Sequence, residues 1–207
     1  SWWMRELRQY GFTGELNENK DFDDAFEFLC ADKKLDLNKA NSVQISAKMQ
    51  KLPLADVYKQ DGSVTNASSI AFIAAIDKSR LLFLGDALAE DIETELKRLS
   101  SKGVSMFFDV IKISHHGSLH STSHSLLQLI DAPIFLISSN GQRHNHPDIE
   151  VLKEIVDRPS GFTRRLYFNY STEASQELKS YKSKAGANFI VFENSTDWID
   201  LSLEASC

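Results

Sequence analysis

The sequence predicts an α/β protein built in layers. After the turn signal Asp61-Gly62, short apolar runs of strand length alternate with segments whose apolar residues recur at helical spacing. The first two runs are joined by a short polar turn, which predicts a β-hairpin. Helices separate most of the later runs, a pattern typical of layered α/β folds. The chain has 207 residues, 42% of them apolar and 25% charged, so it is long enough for a sizeable core.

Each element follows from the local pattern of apolar residues. Strands are predicted at 69–76, 80–84, 107–113, 134–137, 166–168, 188–192 and 198–203. Helices with one apolar face are predicted at 89–99, 123–130, 148–156 and 173–181. The organisation predicted from this pattern is a helical cap or insertion segment over residues 1–60, followed by the α/β part over residues 61–207.

Composition and charge argue against several classes of protein. With 29 acidic and 23 basic residues the net charge is −6, so the chain lacks the basic surface typical of proteins that bind nucleic acid by its phosphates. No apolar run approaches the roughly 20 residues that span a bilayer, so no membrane partner is expected. The cysteines, Cys30 and Cys207, lie far apart. A disulfide framework is therefore not expected, and the predicted location is the cytoplasm.

The histidines are concentrated in one stretch of the chain. All six lie between His115 and His146. Asp86 follows the second hairpin strand, His115 the third strand and Asn140 the fourth, and His146 comes in the next loop. In layered α/β folds, residues just beyond the strand ends collect in one crevice. An aspartate and several histidines placed there can bind a divalent metal.

Four segments carry a family resemblance: 66–72 (NASSIAF), 81–86 (LLFLGD), 109–118 (DVIKISHHGS) and 146–147 (HP). They resemble the C-terminal half of metallo-β-lactamase-fold hydrolases, in the branch that includes the metal-binding domain of bacterial DNA-uptake (competence) proteins and its soluble relatives. The resemblance covers about residues 60–170. It implies that the α/β part is the C-terminal half of a four-layer αββα sandwich, preceded by the helical segment.

The resemblance also implies a role for each matching residue. Asp86 matches the aspartate that bridges two metal ions, and His115, or else His116, matches the late histidine ligand at a strand end. His115 is favoured because it directly continues the strand, which leaves His116 as a catalytic residue that contacts the substrate or supports the metal ligands. His146 matches a histidine near the substrate phosphate or the leaving group. Two residues are expected to line the pocket: Ser118 and Asn140. Three histidines match nothing in the family: His120, His124 and His144.

One element of the family pattern is missing. The sequence has no His-x-His-x-Asp-His element, which supplies most ligands of both metals, and no histidine precedes His115. A catalytic zinc needs about three protein ligands, more than Asp86 and one or two imidazoles provide. We therefore expect this chain to be the C-terminal piece of a longer protein, with an N-terminal half or a complementary chain completing the site. The alternatives are a degenerate member kept as a binding scaffold and an accidental resemblance.

The function implied for the completed protein is that of a metal-dependent hydrolase, a phosphodiesterase or nuclease. Two metal ions, zinc or manganese, would be bridged by Asp86 and a hydroxide that attacks phosphorus. His146 would assist the leaving group as an acid or hold the phosphate. Two other interpretations stay open: a non-catalytic interaction module, and a hydrolase of carbon esters or lactams.

Overall fold

The computed structural model describes residues 52–141, 145–195 and 199. They form a six-stranded sheet with α-helices, which confirms the predicted α/β class. The strands are β1 Phe72–Ile76, β2 Ser79–Phe83, β3 Val110–Lys112, β4 Ile134–Ile137, β5 Arg164–Phe168 and β6 Phe189–Phe192. The helices are α1 Leu54–Val57, α2 Ala89–Ser100, α3 His124–Leu129, α4 Ile149–Val156 and α5 Glu173–Ser180. Within this part of the chain, no helix combines the length and apolar character needed to cross a bilayer.

The strands lie side by side in the order of the sequence. β1 and β2 form the predicted antiparallel hairpin, and β2 to β6 run parallel. The four parallel connections contain α2, α3, α4 and α5 in turn. Right-handed crossovers between adjacent parallel strands place such helices on the same face of the sheet. The sheet therefore has one face under the helices and one face that these helices leave uncovered.

The face under the helices forms the core. Leu82, Ile111, Phe135 and Leu166 are neighbours across β2 to β5, and each is at most 3% exposed. Side chains on the inner faces of the helices complete this core: Leu96, Leu127, Leu152 and Leu178. The burial of these side chains, each worth about 1.5–3 kcal/mol, fixes how the helices sit on the sheet.

The opposite face, called here the open face, carries a second row of side chains in register across all six strands. This row consists of Phe72, Phe83, Lys112, Leu136, Tyr167 and Phe192. The rings of Phe72 and Phe83 stack with centroids 4.9 Å apart, and those of Tyr167 and Phe192 with centroids 4.6 Å apart. Phe72 is nevertheless 51% exposed and Phe192 37%. Contiguous apolar surface of this kind marks an interaction surface.

Most predicted elements within the described residues are present with small shifts of their ends. The largest difference is the third strand, predicted at 107–113, because β3 has only three residues. Phe107 makes an isolated bridge to Asp131 instead and is 47% exposed. The strand predicted at 198–203 lies outside the described residues apart from residue 199. Of the predicted helical segment 1–60, the structure describes residues from 52 onward, where α1 is helical.

A buried ionic cluster holds together the edge of the sheet at which β4 and β5 begin. The Arg164 guanidinium is fully buried, and its Nη2 donates to Asp131 Oδ2 at 2.6 Å. Arg158 Nη2 donates to the other carboxylate oxygen at 3.0 Å. Arg164 Nε also donates to Asp131, at 3.1 Å, and Arg164 Nη1 donates to the carbonyl of Arg158. One carboxylate therefore pairs with two buried guanidinium groups.

Replacing Asp131→Asn is expected to lower the free energy of unfolding by about 3 kcal/mol, because two buried guanidinium groups lose their counter-charge. Urea denaturation measures this loss. The matched control is Glu95→Gln, which breaks the ion pair with Arg98 whose side chains are 60% and 52% exposed. That change is expected to cost less than about 1 kcal/mol. Equal losses for the two substitutions would contradict the role of Asp131 as the counter-charge of two buried guanidinium groups.

Candidate functional site

The carboxyl ends of β2, β3 and β4 bring the predicted site residues to one edge of the sheet. Asp86 follows β2, His115 and His116 follow β3, and the loop that contains His146 follows β4. Because these strands are adjacent and parallel, their ends lie side by side. The His115 N–H donates to the carbonyl of Gly85 at 2.9 Å, which joins the first two of these turns directly.

Three histidine rings gather at this edge. The centroid of the His115 ring lies 5.9 Å from that of His116 and 5.5 Å from that of His146. The charge of Asp86 acts on His115 and also on Lys112 of the open face. The edge therefore combines imidazoles, a carboxylate and a lysine, next to the open face. This set is called the histidine cluster below.

The backbone at the first two histidines is in the left-handed region. His115 has φ 41° and ψ 55°, His116 has φ 57° and ψ 17°, and Gly117 continues with φ 84°. A non-glycine residue in this region costs about 1–3 kcal/mol and persists only where its surroundings demand it. Such strain tends to occur at functional sites, and here it falls on two adjacent histidines.

In each of the three rings, Nδ1 lies against an oxygen of the protein. The oxygens are Ser121 Oγ at 3.1 Å for His115, the Ser138 carbonyl at 2.5 Å for His116, and Asp148 Oδ2 at 3.2 Å for His146. Metal-binding histidines are held in this way through the ring nitrogen that does not bind the metal. Nε2 is then the nitrogen through which each ring would bind a ligand.

The environment of His115 favours its neutral form. Burial lowers the pKa of the His115 imidazole below its ordinary value, and His146 and His116 act in the same direction. The carboxylates of Asp86 and Asp61 oppose this effect but do not cancel it. A neutral imidazole is the form that binds a metal or accepts a proton at neutral pH.

Asp148 ties two of the site loops together. It is the N-cap residue of α4, yet its side chain makes no capping bond to that helix. Its Oδ2 instead accepts the N–H of Leu119 at 2.7 Å and faces His146. Its own N–H donates to the carbonyl of Gly117 at 3.0 Å. The sequence predicted only a helix start here. Aspartate is a common N-cap residue, so its position gave no indication that the side chain contacts other loops.

The two residues predicted to line the pocket differ in their surroundings. Ser118 lies in the histidine loop and is 1% exposed, and its hydroxyl accepts the N–H of His120 at 3.2 Å. Asn140 lies in the loop after β4 and is exposed. The structure thus places Ser118 within the framework of the loop and Asn140 at its surface.

The histidines without a family match are not part of the three-ring group. His120 is exposed, and its Nδ1 lies 2.7 Å from the carbonyl of Lys59. His124 begins α3 and pairs with Glu154 at 2.8 Å. His144 lies outside the described residues.

Sequence reasoning missed the residues that surround His115. The sequence indicates Asp61 only as part of a turn, and Asn66 only as part of a family-like segment. The structure places Asp61 Oδ2 3.6 Å and Asn66 Nδ2 3.3 Å from His115 Nδ1. Nothing in the sequence distinguishes Ser121 from the other hydroxyl residues in that loop. Only the position of Asn66 within a family-like segment pointed toward the site.

The donor set would supply only part of a metal site. Among the described residues, no group of three or more His, Cys, Asp and Glu side chains is arranged to hold a metal ion. The orientation of the rings through Nδ1 and the preference of His115 for its neutral form suit imidazole ligands. These residues would fit a metal only together with ligands beyond this group.

Comparisons with models of protein families, with curated proteins and with solved structures found no match.

The turn at Gly85 is expected to tolerate no side chain. Gly85 has φ 55°, and an added Cβ would lie 2.6 Å from Ser69 Oγ and 2.8 Å from the carbonyl oxygen of Ile70. Gly85→Ala should therefore lower the free energy of unfolding by more than the about 1–2 kcal/mol that left-handed strain alone costs. Gly103→Ala is the control, because Gly103 has φ 83° and nothing within 4 Å. Thermal unfolding of both variants measures the difference, and equal losses would exclude the close contact.

The lowered pKa of His115 makes stability depend on pH. As the pH falls below about 6.5, the unfolded chain binds a proton at this residue that the folded chain resists. The folded state therefore loses stability between the ordinary imidazole pKa and the lower folded-state pKa. In urea titrations from pH 7.5 to 5, His115→Gln should lose less stability than the wild type. An identical pH dependence of the two proteins would show that His115 is not the group involved.

Proposed function

We propose that this chain is part of a metal-dependent hydrolase of phosphodiesters, a phosphodiesterase or nuclease, and that its α/β unit is the C-terminal half of a metallo-β-lactamase-like αββα sandwich. The observation that carries the proposal is the histidine cluster, in which three rings, each with Nδ1 against a protein oxygen, share one sheet edge with Asp86. Strained backbone tends to occur at functional sites, and bonding through Nδ1 is how metal-binding histidines are oriented.

The roles of the chain's own residues follow from their positions. Asp86 and His115 would be the metal ligands, with His116 as the other candidate for the histidine position. Two divalent ions, zinc or manganese, would supply an activated hydroxide and neutralise the charge on the phosphoryl oxygens. His146, held by Asp148, would donate a proton to the leaving oxygen or bind the phosphate.

The proposal requires a complementary segment, and the open face supports this requirement. The cluster by itself provides too few ligands, and apolar side chains of the sheet such as Phe72, Ile76 and Ile190 are about half exposed. Lys112 lies on the open face and interacts with Asp86. A second sheet laid on the open face would therefore reach the site edge. We propose that this sheet carries the His-x-His-x-Asp-His element and belongs to an N-terminal half or a separate chain.

A phosphodiester is the substrate that suits the local charge. The net charge of the chain is −6, so attraction for an anion has to be local. The metal ions would supply this attraction, because Lys112 lies close to the carboxylate of Asp86 and burial lowers the pKa of its amine. Nucleic acid would then be bound through its phosphodiester backbone at the site rather than over a broad basic surface.

The second candidate is a non-catalytic interaction module, and the open face is the observation that favours it. The exposed aromatic rows provide a binding surface whether or not a metal is present. In that case the histidine cluster would be a remnant that only shapes the loops.

Metal titration followed by NMR tests the proposal. Sub-stoichiometric Mn²⁺ added to the full chain is expected to broaden the ring signals of His115, His116 and His146 first. Asp86→Asn should reduce this selectivity, because the carboxylate ligand is lost. The signal of His124 is the internal control, since this ring pairs with Glu154 at the start of α3. Uniform broadening, or broadening that begins at His124, would contradict the metal site and favour the interaction module.

A second arm tests the substrate class with unreactive probes. In the presence of Zn²⁺, dimethyl phosphate should shift the signals of Lys112 and His146 more than equal concentrations of methyl acetate or a simple lactam. Larger shifts with either carbon compound would contradict the phosphodiester assignment and favour a hydrolase of esters or lactams.

A further inference from the structure

The segment between α1 and β1 crosses the edge of the sheet at the histidine cluster. Two contacts hold it there: the Asp61 N–H donates to the carbonyl of His120 at 3.1 Å, and the carbonyl of Lys59 lies 2.7 Å from His120 Nδ1. Tyr58 adds a hydrogen bond to Glu90 at 2.6 Å. The segment therefore sits over His115 in a fixed position.

The Asp61 carboxylate is itself held rigidly. Its Oδ1 accepts the N–H of Ser63 at 2.8 Å, and its Oδ2 accepts from Asn66 Nδ2 at 2.6 Å and from Ser121 Oγ at 3.4 Å. The same Oδ2 lies 3.6 Å from His115 Nδ1, and the Asp61 side chain is only 14% exposed. An immobile, poorly hydrated negative charge thus faces one nitrogen of the ring.

Two hydrogen-bond schemes are compatible with these atoms. In the first, Ser121 donates its single hydroxyl proton to Asp61, and its oxygen accepts from a protonated Nδ1 of His115. In the second, Ser121 and Asn66 both donate to an unprotonated Nδ1. The second scheme turns the lone pair of the ring toward the Asp61 carboxylate, 3.6 Å away. In the first scheme Asn66 Nδ2 keeps its 2.6 Å bond to Asp61 and makes none to Nδ1, and the carboxylate gains a second charge-assisted hydrogen bond, from Ser121.

We infer that Asp61 is a positioning residue that keeps the proton of His115 on Nδ1, through Ser121, so that Nε2 presents its lone pair to the site. Asn66 serves this arrangement by holding the carboxylate in place. The inference rests on the proposed function in one respect: the Nε2 lone pair is there to bind the metal. The tautomer itself is a property of the metal-free chain.

Long-range ¹H–¹⁵N NMR of the imidazole groups in the metal-free full chain tests the inference. His115 is expected to show a protonated Nδ1 and an unprotonated Nε2. Asp61→Asn should shift the ring toward the Nε2-protonated form. The control is Asp56→Asn, which replaces an exposed carboxylate of α1 and should leave the tautomer unchanged. A wild-type ring protonated on Nε2, or a tautomer unaffected by Asp61→Asn, would overturn the inference.

The measurements on metal-free protein separate this inference from the proposed function. If both hold, Asp61→Asn should also weaken Mn²⁺ binding at the histidine cluster by about 10-fold or more. If the wild type has the expected tautomer but Mn²⁺ gathers elsewhere, only the proposed function fails. If the tautomer is the opposite one while Mn²⁺ binds at the cluster, only the role of Asp61 fails. Should Asp61→Asn not fold, the wild-type spectrum and Ser121→Ala decide the tautomer question.

Discussion

The parallel ladder from β2 to β5 is the constraint on which the rest of the structure depends. It places the carboxyl ends of β2, β3 and β4 next to each other, so that Asp86 and His115 start from adjacent strands. The hydrogen bond from His115 to the Gly85 carbonyl shows how closely the two turns approach. These residues are far apart in sequence, and without this register they would not meet in space.

The same ladder makes the two faces of the sheet unequal. Each crossover returns a helix to one side, where Leu82, Ile111 and Phe135 are buried. The other side keeps aromatic side chains such as Phe72 partly exposed. The histidine cluster lies at the edge of this exposed face, so a segment packed on that face would reach the proposed site. Under the proposed function, burial of the open face would then also complete the metal site.

Much of the architecture was predictable because local patterns specify it. The hairpin follows from two apolar runs around Asp77-Lys78-Ser79, and α2 follows from apolar residues at helical spacing. The gathering of histidines was predictable because they follow strand ends. The length of β3 was not, because the run at Phe107 is apolar enough for a strand, while its pairing depends on where the neighbouring strands end.

The sequence by itself determined the α/β class, the order of the elements and the positions after strand ends at which Asp86, His115 and His146 stand, because periodicity and turn residues act over a few neighbours. Tertiary structure decided the surroundings of the rings. Asp61 meets His115 from a distant part of the chain, and Asp148 turns from its own helix to the histidine loops. Such contacts depend on how separate segments pack, and no local pattern encodes them.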